Sequence, residues 1–171
     1  GHEPLGAERV VIAAGLGNKK LAAMVGIEAP ITPLKGQIMV TEKVAPFLGY
    51  PLSGARQTAE GGVLLGGSHE DTGFEDESLA PVMAAIADRA RRVFPFLAQA
   101  RIVRSWAALR PMAPDGLPIY HQSAAHPGAF VVSGHSGVTL AAVHANVMAP
   151  AIADGHLPPD VASLDAGRFN D

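Results

Sequence analysis

Residues 109–119 read Leu-Arg-Pro-Met-Ala-Pro-Asp-Gly-Leu-Pro-Ile, and residues 133–140 read Ser-Gly-His-Ser-Gly-Val-Thr-Leu. Arg110 therefore stands just before a rigid turn that is built from proline, aspartate and glycine. A strand is predicted after this turn, and a glycine-flanked loop then opens a helix. This order of elements can hold an anionic substrate group and a cofactor within one short segment of chain.

The composition is that of a folded globular protein. Of the 171 residues, 48% are hydrophobic and 17% are charged, which suits one well-buried domain, or one domain with an appendage. The net charge of −3 and the lack of a Lys/Arg block give no electrostatic support to nucleic-acid binding. The sequence has no cysteine, and therefore no disulfide and no thiolate metal site. No apolar run approaches the roughly 18 residues of a membrane span, and we expect no signal peptide, so a cytoplasmic location is predicted, either free or peripheral to the inner face of the membrane.

Hydrophobic periodicity predicts an α+β protein with a mainly antiparallel sheet and two principal helices. The longest helix is expected over 77–94, where apolar residues recur at helical spacing until Pro95 ends it. A second, alanine-rich helix is expected over 139–154, with Gly155 as its C-cap. Short strands are predicted over 9–15, 36–42, 61–68, 102–109 and 128–133, a brief helix over 18–25, and a loop over 156–171.

Three motifs suggest chemistry that their neighbours do not support. Gly15-Leu16-Gly17 follows a strand, but Lys20 stands where a dinucleotide-binding turn needs its third glycine, and no acidic residue ends a second strand at the required distance. Gly134-His135-Ser136-Gly137 is not the nucleophile elbow of a serine hydrolase, because Val138 stands where that motif needs its last glycine. The seven histidines show no metal-ligand spacing, so we predict no metal site.

Arg110 and the loop over 134–140 are candidates for binding, and each has a structural alternative. A guanidinium offers a fork of two donors that matches a carboxylate, but Arg110 can instead form an ion pair with Asp115 or another acid. Arg56 is a second arginine of this kind, with weaker support. The glycines of the loop let its backbone approach a planar ring, and N–H groups at a helix start stabilise negative charge. An ordinary glycine-rich helix start explains the same residues equally well.

Taken in order, the motifs resemble the C-terminal half of FAD-dependent oxidoreductases of the D-amino-acid oxidase type. This group includes glycine and sarcosine oxidases and the catalytic subunits of hydrogen cyanide synthase, opine oxidase and hydroxyproline dehydrogenase. The resemblance covers nearly the whole chain, and the shared order of the motifs argues against a chance match. The matching stretches are VVIAAG at 10–15, PLKGQ at 33–37, GGVLLG at 61–66, RP with PDGLP within 110–118, GHSGVTL at 134–140 and RF at 168–169.

This resemblance implies two domains and a set of site residues. Residues 33–118 would form a substrate-binding domain, and residues 1–32 and 119–171 would be remnants of the FAD-binding α/β domain. Arg110 would be the catalytic residue that binds the substrate carboxylate beside the flavin, and Arg56 would be a second substrate-binding residue. The residues implied to contact the cofactor are Ala14 and Gly15, near its adenosine or pyrophosphate portion, and Gly134, His135, Ser136, Gly137, Val138 and Thr139, along the pyrimidine edge of its ring.

The implied reaction oxidises an amino acid or a secondary amine to an imine, by hydride transfer from the α-carbon to flavin N5, and the imine then hydrolyses. A reduced flavin carries negative charge at the edge that the loop would face, where a helix N-terminus is favourable. The complete Gly-x-Gly-x-x-Gly turn that holds the FAD pyrophosphate in this family is absent from this sequence. We therefore expect a piece of a larger protein, which binds no FAD and has no activity on its own. The alternative is a non-catalytic binding or assembly module that forms a homodimer or pairs with partner subunits.

Overall fold

The computed structural model describes residues 3–170, which fold into two compact units. One unit contains residues 3–32 and 111–170, and the other contains Pro33–Arg110. Both units combine antiparallel strand pairs with helices, so the predicted α+β class is confirmed. Residues 111–118 pack within the first unit. The assignment of residues 33–118 to a substrate-binding domain, and of residues 1–32 and 119–171 to an FAD-binding domain, stays a prediction.

The helices and strands are short, apart from β2, β5 and α2 in the following list. The strands are β1 (Val10–Ile12), β2 (Thr32–Lys43), β3 (Ala55–Gln57), β4 (Gly62–Gly66), β5 (Ile102–Met112), β6 (Ile119–Gln122) and β7 (Ala129–Ser133). The α-helices are α1 (Asn18–Ala23), α2 (Ala80–Val93), α3 (Ala141–Val143) and α4 (Ala149–Ala153). A π-helical turn over His144–Met148 joins α3 to α4, and 3-10 turns cover Gly15–Gly17, Pro95–Gln99, Pro159–Leu164 and Ala166–Phe169.

The first unit is built on a three-stranded sheet in the order β1-β7-β6. β1 runs parallel to β7, and β6 pairs with β7 in antiparallel register. Apolar residues of the sheet, of α1 and of the loops and turns around them form one core cluster, whose buried members are Ile12, Ala22, Ile27, Ala29, Ile31, Ala113, Ile119, Val131 and Ala166. A second cluster packs α4 against the sheet through Tyr120, Phe130, Met148, Ile152 and Val161. Burial of these side chains removes apolar surface from water and fixes the ends of β1 and β7 in place.

The second unit is built on a four-stranded sheet in the order β3-β4-β2-β5, in which β4 runs antiparallel to both of its neighbours. Side chains on a strand alternate between the two faces of the sheet. Met39 lies opposite Leu65 in the register, and α2 packs on their face through the buried Ile86. The opposite face, which we call the far face, carries Gly36, Ile38, Val40, Leu64 and Arg56.

The prediction of one continuous helix over 139–154 is wrong, because the segment is divided into α3, a π-helical turn and α4. A turn covers residues 137–140, α3 begins at Ala141, and the π-helical turn interrupts the helix before α4. Pro150 explains the interruption, because it has no N–H to donate and its ring excludes the carbonyl four residues earlier. The N–H of Ala149 bonds to the carbonyl of His144 instead, one residue further back than in an α-helix. The turn also brings His144 Nε2 within 2.9 Å of the hydroxyl of Tyr120.

Three other predictions of local structure differ from the fold. The segment 156–171 was predicted as a loop, but Pro159–Leu164 and Ala166–Phe169 form 3-10 turns. β3 was not predicted, because three residues are too few to show periodicity. α2 begins at Ala80, later than predicted, because Leu79 is extended and Pro81 starts the first turn. Throughout residues 3–170, each helix is too short or too polar to cross a membrane.

Candidate functional site

Arg110 places its guanidinium on the far face, directly over Gly36. A Cβ atom on Gly36 would lie 2.2 Å from both terminal nitrogens of Arg110, so a side chain at this position would displace the guanidinium. A Cβ atom on Gly67 would lie 3.4 Å from Nη2. Nη1 of Arg110 donates a hydrogen bond of 3.1 Å to the carbonyl oxygen of Ser68. The guanidinium therefore lies in a narrow slot between two glycines, held by one backbone carbonyl.

No acid within residues 33–110 forms an ion pair with Arg110. Asp115, which the sequence offered as a competing partner, binds Arg168 instead, with distances of 2.8 Å to Nε and 3.1 Å to Nη2. These hydrogen bonds from Arg168 hold the pKa of Asp115 below its ordinary value. A guanidinium has five N–H donors in a fixed fork, and the single bond to Ser68 leaves a pair of donors for a carboxylate ligand.

A buried polar network lies beside the Arg110 slot. The Lys35 and Gln37 side chains are almost completely buried, and both reach Glu70. Nε2 of Gln37 donates to the two Glu70 oxygens at 3.0 and 2.9 Å, and Nζ of Lys35 lies 3.6 Å from Oε2. Hydrogen bonds from Ser68 and Gln37, together with the ammonium of Lys35, keep the pKa of Glu70 below its usual value in spite of burial. Sequence reasoning missed this network, because its members become neighbours only through strand pairing.

Arg56 lies on the same far face as the guanidinium of Arg110, but the structure does not bring the two together. Arg56 is an exposed residue of β3, at the edge of the sheet. Two strand spacings, about 10 Å in total, separate β3 from β2, over which the Arg110 guanidinium lies. The role of Arg56 as a second substrate-binding residue stays a prediction.

The loop over 134–140 presents free backbone donors in the first unit. Ser136 has a φ of +62°, which bends the chain so that the N–H of Leu140 bonds to its carbonyl at 3.0 Å. The N–H of Ala141 bonds to the carbonyl of Val138 at 3.3 Å. The N–H groups of 137–139 have no hydrogen-bond partner in the described chain, and the side chain of Val138 is 95% exposed. The loop can therefore donate several hydrogen bonds to an acceptor-rich ligand.

A hydroxyl and an imidazole also meet in this loop. Ser136 Oγ and His135 Nδ1 are hydrogen-bonded to each other. A hydrolytic triad needs a third group that orients the imidazole, and no carboxylate among residues 3–170 pairs with His135. The pair therefore gives no support to serine hydrolase chemistry. Residues 3–170 also contain no group of three His, Cys, Asp or Glu side chains that could hold a metal ion.

The structure brings the two predicted cofactor-contacting segments to one edge of the sheet. Ala14 and Gly15 follow the end of β1, the loop over 134–140 follows the end of β7, and these two strands are parallel. Ligands of α/β proteins bind outside the carboxyl ends of parallel strands. Gly15 has a φ of +58° and nothing within 4 Å of its Cβ position, so the turn is open at this edge.

Two buried polar side chains support the same edge. Asn18 is completely buried, accepts a hydrogen bond of 2.5 Å from the N–H of Ala14 and donates one of 3.1 Å to the carbonyl of Val132. The turn after β1 is thereby tied to β7. Ser133, the last residue of β7, has a buried hydroxyl without a hydrogen-bond partner among the described residues. Free donors, open glycines and this unsatisfied hydroxyl together fit a planar ligand that is rich in acceptors, as a flavin ring is.

Residues 1–151 match the model of the DAO family, described as FAD dependent oxidoreductase. A subunit of the opine oxidase of Rhizobium meliloti is 46% identical over 162 residues, which are 95% of this chain and 44% of that protein. The HcnC subunit of the hydrogen cyanide synthase of Pseudomonas aeruginosa is 33% identical over 167 residues, with a coverage of 94% and 40%. The crystal structure of glycine oxidase from Geobacillus kaustophilus superimposes with a TM-score of 0.85 at 26% identity, over 95% of this chain and 46% of that one. The chain spans less than half the length of these relatives, and it belongs to the DAO family of FAD dependent oxidoreductases.

Proposed function

We propose that this chain is the substrate-binding part of an FAD-dependent oxidoreductase that converts an amino acid or a secondary amine into an imine. The observation that carries the proposal is the guanidinium of Arg110, which is held in a slot and has no acid partner within its own unit. Arg110 would bind the substrate carboxylate through two parallel N–H donors. Relatives that are named glycine oxidase and opine oxidase support this class of substrate.

The cofactor would be FAD, in keeping with the family. Ala14 and Gly15 would contact its adenosine or pyrophosphate portion, and residues 134–139 would donate backbone hydrogen bonds to its ring. Bound FAD supplies the two-electron acceptor for the hydride that leaves the substrate α-carbon. A neutral substrate amine needs no general base, so the contribution of this chain is binding and orientation.

We further propose that the chain by itself is inactive and binds no FAD. The Gly-x-Gly-x-x-Gly turn that would hold the pyrophosphate is absent from the sequence. The purified chain is expected to show no stoichiometric flavin absorbance after incubation with FAD and gel filtration.

The cytoplasmic or membrane-peripheral location stays a prediction.

Reconstitution tests this function. The chain would be mixed with FAD and the N-terminal half of the related opine oxidase protein, and the reduction of an artificial electron-accepting dye would be followed with glycine, sarcosine, proline and an opine. Dye reduction by at least one of these amines, only when both halves are present, is the expected result. A stable complex that contains flavin and reduces no dye with any of them would remove the support for this function.

The second candidate function is a non-catalytic module that assembles with a partner. It is favoured by an exposed apolar surface on the first unit, where a groove of about 510 Å³ is lined by β1 and α1. Val10, Val11 and Met24 in this groove are 50%, 45% and 74% exposed. A homodimer, or a complex that forms without acquiring flavin, would favour assembly over catalysis.

A further inference from the structure

We propose that Gly36 and Ser68 are positioning residues, which hold the guanidinium of Arg110 in one orientation for carboxylate binding. Their own geometry is fixed in turn by the partly buried carboxylate of Glu70. This inference rests on the proposed function, because the orientation of the guanidinium matters only if a planar anion binds there. It assigns a role to a glycine and to a serine carbonyl that the sequence left without one.

Gly36 sets the depth of the slot. It lies in the interior of the 12-residue strand β2, where glycine weakens a strand and commonly marks the close approach of another group. The approaching group is the guanidinium, since a Cβ on Gly36 would lie 2.4 Å from Cζ of Arg110. The guanidinium is the far end of a flexible side chain, whereas β2 is held by backbone hydrogen bonds to the neighbouring strands of the sheet. A methyl group at position 36 would therefore displace Arg110 and leave the backbone in place.

Ser68 sets the direction of the guanidinium. Its carbonyl oxygen accepts the hydrogen bond from Nη1 of Arg110, and its hydroxyl group both accepts and donates a hydrogen bond. The hydroxyl accepts a hydrogen bond of 2.9 Å from the N–H of Gln37 and donates one of 2.5 Å to Oε1 of Glu70. These two hydrogen bonds hold Ser68 in one favoured orientation. In this orientation its carbonyl oxygen points at Nη1 of Arg110.

Glu70 anchors Ser68 to the sheet. The backbones of Glu70 and Lys35 exchange two hydrogen bonds, of 2.9 and 3.0 Å. Three donors face the Glu70 carboxylate, namely Ser68 Oγ, Gln37 Nε2 and Lys35 Nζ. Oε1 of Gln37 accepts the N–H of Leu79 at 2.9 Å, so the network also reaches the start of α2. A carboxylate is the side chain that can accept all of these bonds, and it compensates the charge of the buried lysine.

A fixed guanidinium is suited to a planar anion. Two parallel N–H···O bonds require the fork and the carboxylate to lie in one plane. An arginine that is already oriented loses less side-chain entropy when it binds than a mobile one does. The slot would therefore raise affinity for the carboxylate without contacting it.

Nuclear magnetic resonance of the ¹⁵N-labelled chain tests the proposal. The Nε–Hε signal of Arg110 would be assigned by its loss in Arg110→Lys. Its ¹⁵N heteronuclear Overhauser effect, without ligand, reports the order of the guanidinium, and a titration with sodium acetate reports carboxylate binding. The variants are Gly36→Ala and Ser68→Ala. Ser68→Thr keeps the hydroxyl, and Gly49→Ala is a matched control because nothing lies within 4 Å of its Cβ position.

The wild-type signal is expected to be as ordered as the backbone, and both alanine variants at 36 and 68 are expected to lose that order and to weaken acetate binding about tenfold. Ser68→Thr and Gly49→Ala should match the wild type, and circular dichroism should show that all variants fold. An ordered Arg110 signal and unchanged acetate binding in Gly36→Ala and Ser68→Ala would overturn the positioning role. If those variants lose order but acetate does not shift the wild-type signal, positioning stands and the proposed carboxylate function fails.

Discussion

At the scale of single residues, Arg110 differs from the other arginines that the structure pairs with acids. Arg168 binds Asp115, Arg101 binds Glu42, and Arg91 binds Asp88. Arg110 is instead half-buried over a glycine and bound to one carbonyl. A half-buried cation without an acid partner among residues 33–110 has lost part of its hydration, and an anionic ligand would compensate for this loss.

Glu70→Gln should lower the free energy of unfolding by about 3 kcal/mol, because the amide leaves the buried Lys35 ammonium without its counter-charge. Urea denaturation at neutral pH measures the change. Glu75→Gln is the control, since this side chain is exposed and its substitution should change stability by no more than about 0.5 kcal/mol. Equal effects of the two substitutions would show that the Glu70 network does not stabilise the fold.

Asp115→Asn should lower the melting temperature at pH 7. The melting temperature of this variant should also fall less than that of the wild type as the pH is lowered. Hydrogen bonds from Arg168 hold the pKa of Asp115 below its ordinary value of 3.8. This carboxylate therefore stabilises the fold above pH 3.8, and the contribution is lost as the pH falls through the folded-state pKa. Melting curves between pH 7 and acid should show the wild type and Asp115→Asn converging below pH 3.8. The exposed Asp154→Asn should leave the melting temperature at pH 7 unchanged. A constant difference between the wild type and Asp115→Asn across the pH range would contradict the account.

The sequence indicated the chemistry of single residues better than their partners. It identified Arg110 as a carboxylate ligand or a member of an ion pair, because residue type and turn context are local. It could not choose between these roles, since the partner of Asp115 is Arg168, far along the chain. The Ser68–Glu70 network was missed for the same reason: Gln37 and Glu70 meet only through pairing that sequence periodicity does not reveal.

At the scale of elements, the parallel pairing of β1 with β7 creates the candidate cofactor edge. Each strand and each following loop was predictable from apolar runs that end in glycine. Their adjacency was not, because more than a hundred residues separate the two strands and parallel pairing leaves no local signal. The break before α4 could have been expected from Pro150, which cannot donate a helical hydrogen bond.

Asn18→Ala should cost about 2 kcal/mol of stability, because it leaves the N–H of Ala14 and the carbonyl of Val132 without their buried partner. Amide hydrogen exchange should also show faster exchange at Ala14, where the turn after β1 is released. Asn146→Ala, at an exposed position, is the matched control. Unchanged exchange and stability in Asn18→Ala would show that the turn does not depend on this side chain.

At the scale of the whole molecule, the chain spans less than half the length of its relatives and exposes an apolar edge strand. Among residues 3–170, β1 pairs only with β7, so its other edge has no neighbouring strand and is open to pairing with another chain. This surface is where we expect the remainder of a full-length family member, or another protein chain, to pack. The family resemblance offered partner subunits or a homodimer as a possibility, and the exposed groove supports this as a proposal.

Val11→Lys should weaken assembly with the N-terminal half of a relative by at least tenfold, because it places a charge in the apolar groove. Analytical ultracentrifugation of the mixed halves measures the change. Val103→Lys is the control, since Val103 is equally apolar, 62% exposed and part of the second unit. If both substitutions weaken assembly equally, β1 is not the interface.

Binding of the substrate carboxylate by Arg110 is tested most directly in the reconstituted, flavin-containing complex. The rate of flavin reduction would be compared for the best amino-acid substrate and for its carboxamide, in the wild type and in Arg110→Gln. We predict that the wild type reduces its flavin at least a hundredfold faster with the carboxylate, on the order of 3 kcal/mol, and that Arg110→Gln loses this preference. An Arg110→Gln complex that binds flavin and keeps the wild-type preference for the carboxylate would contradict the account.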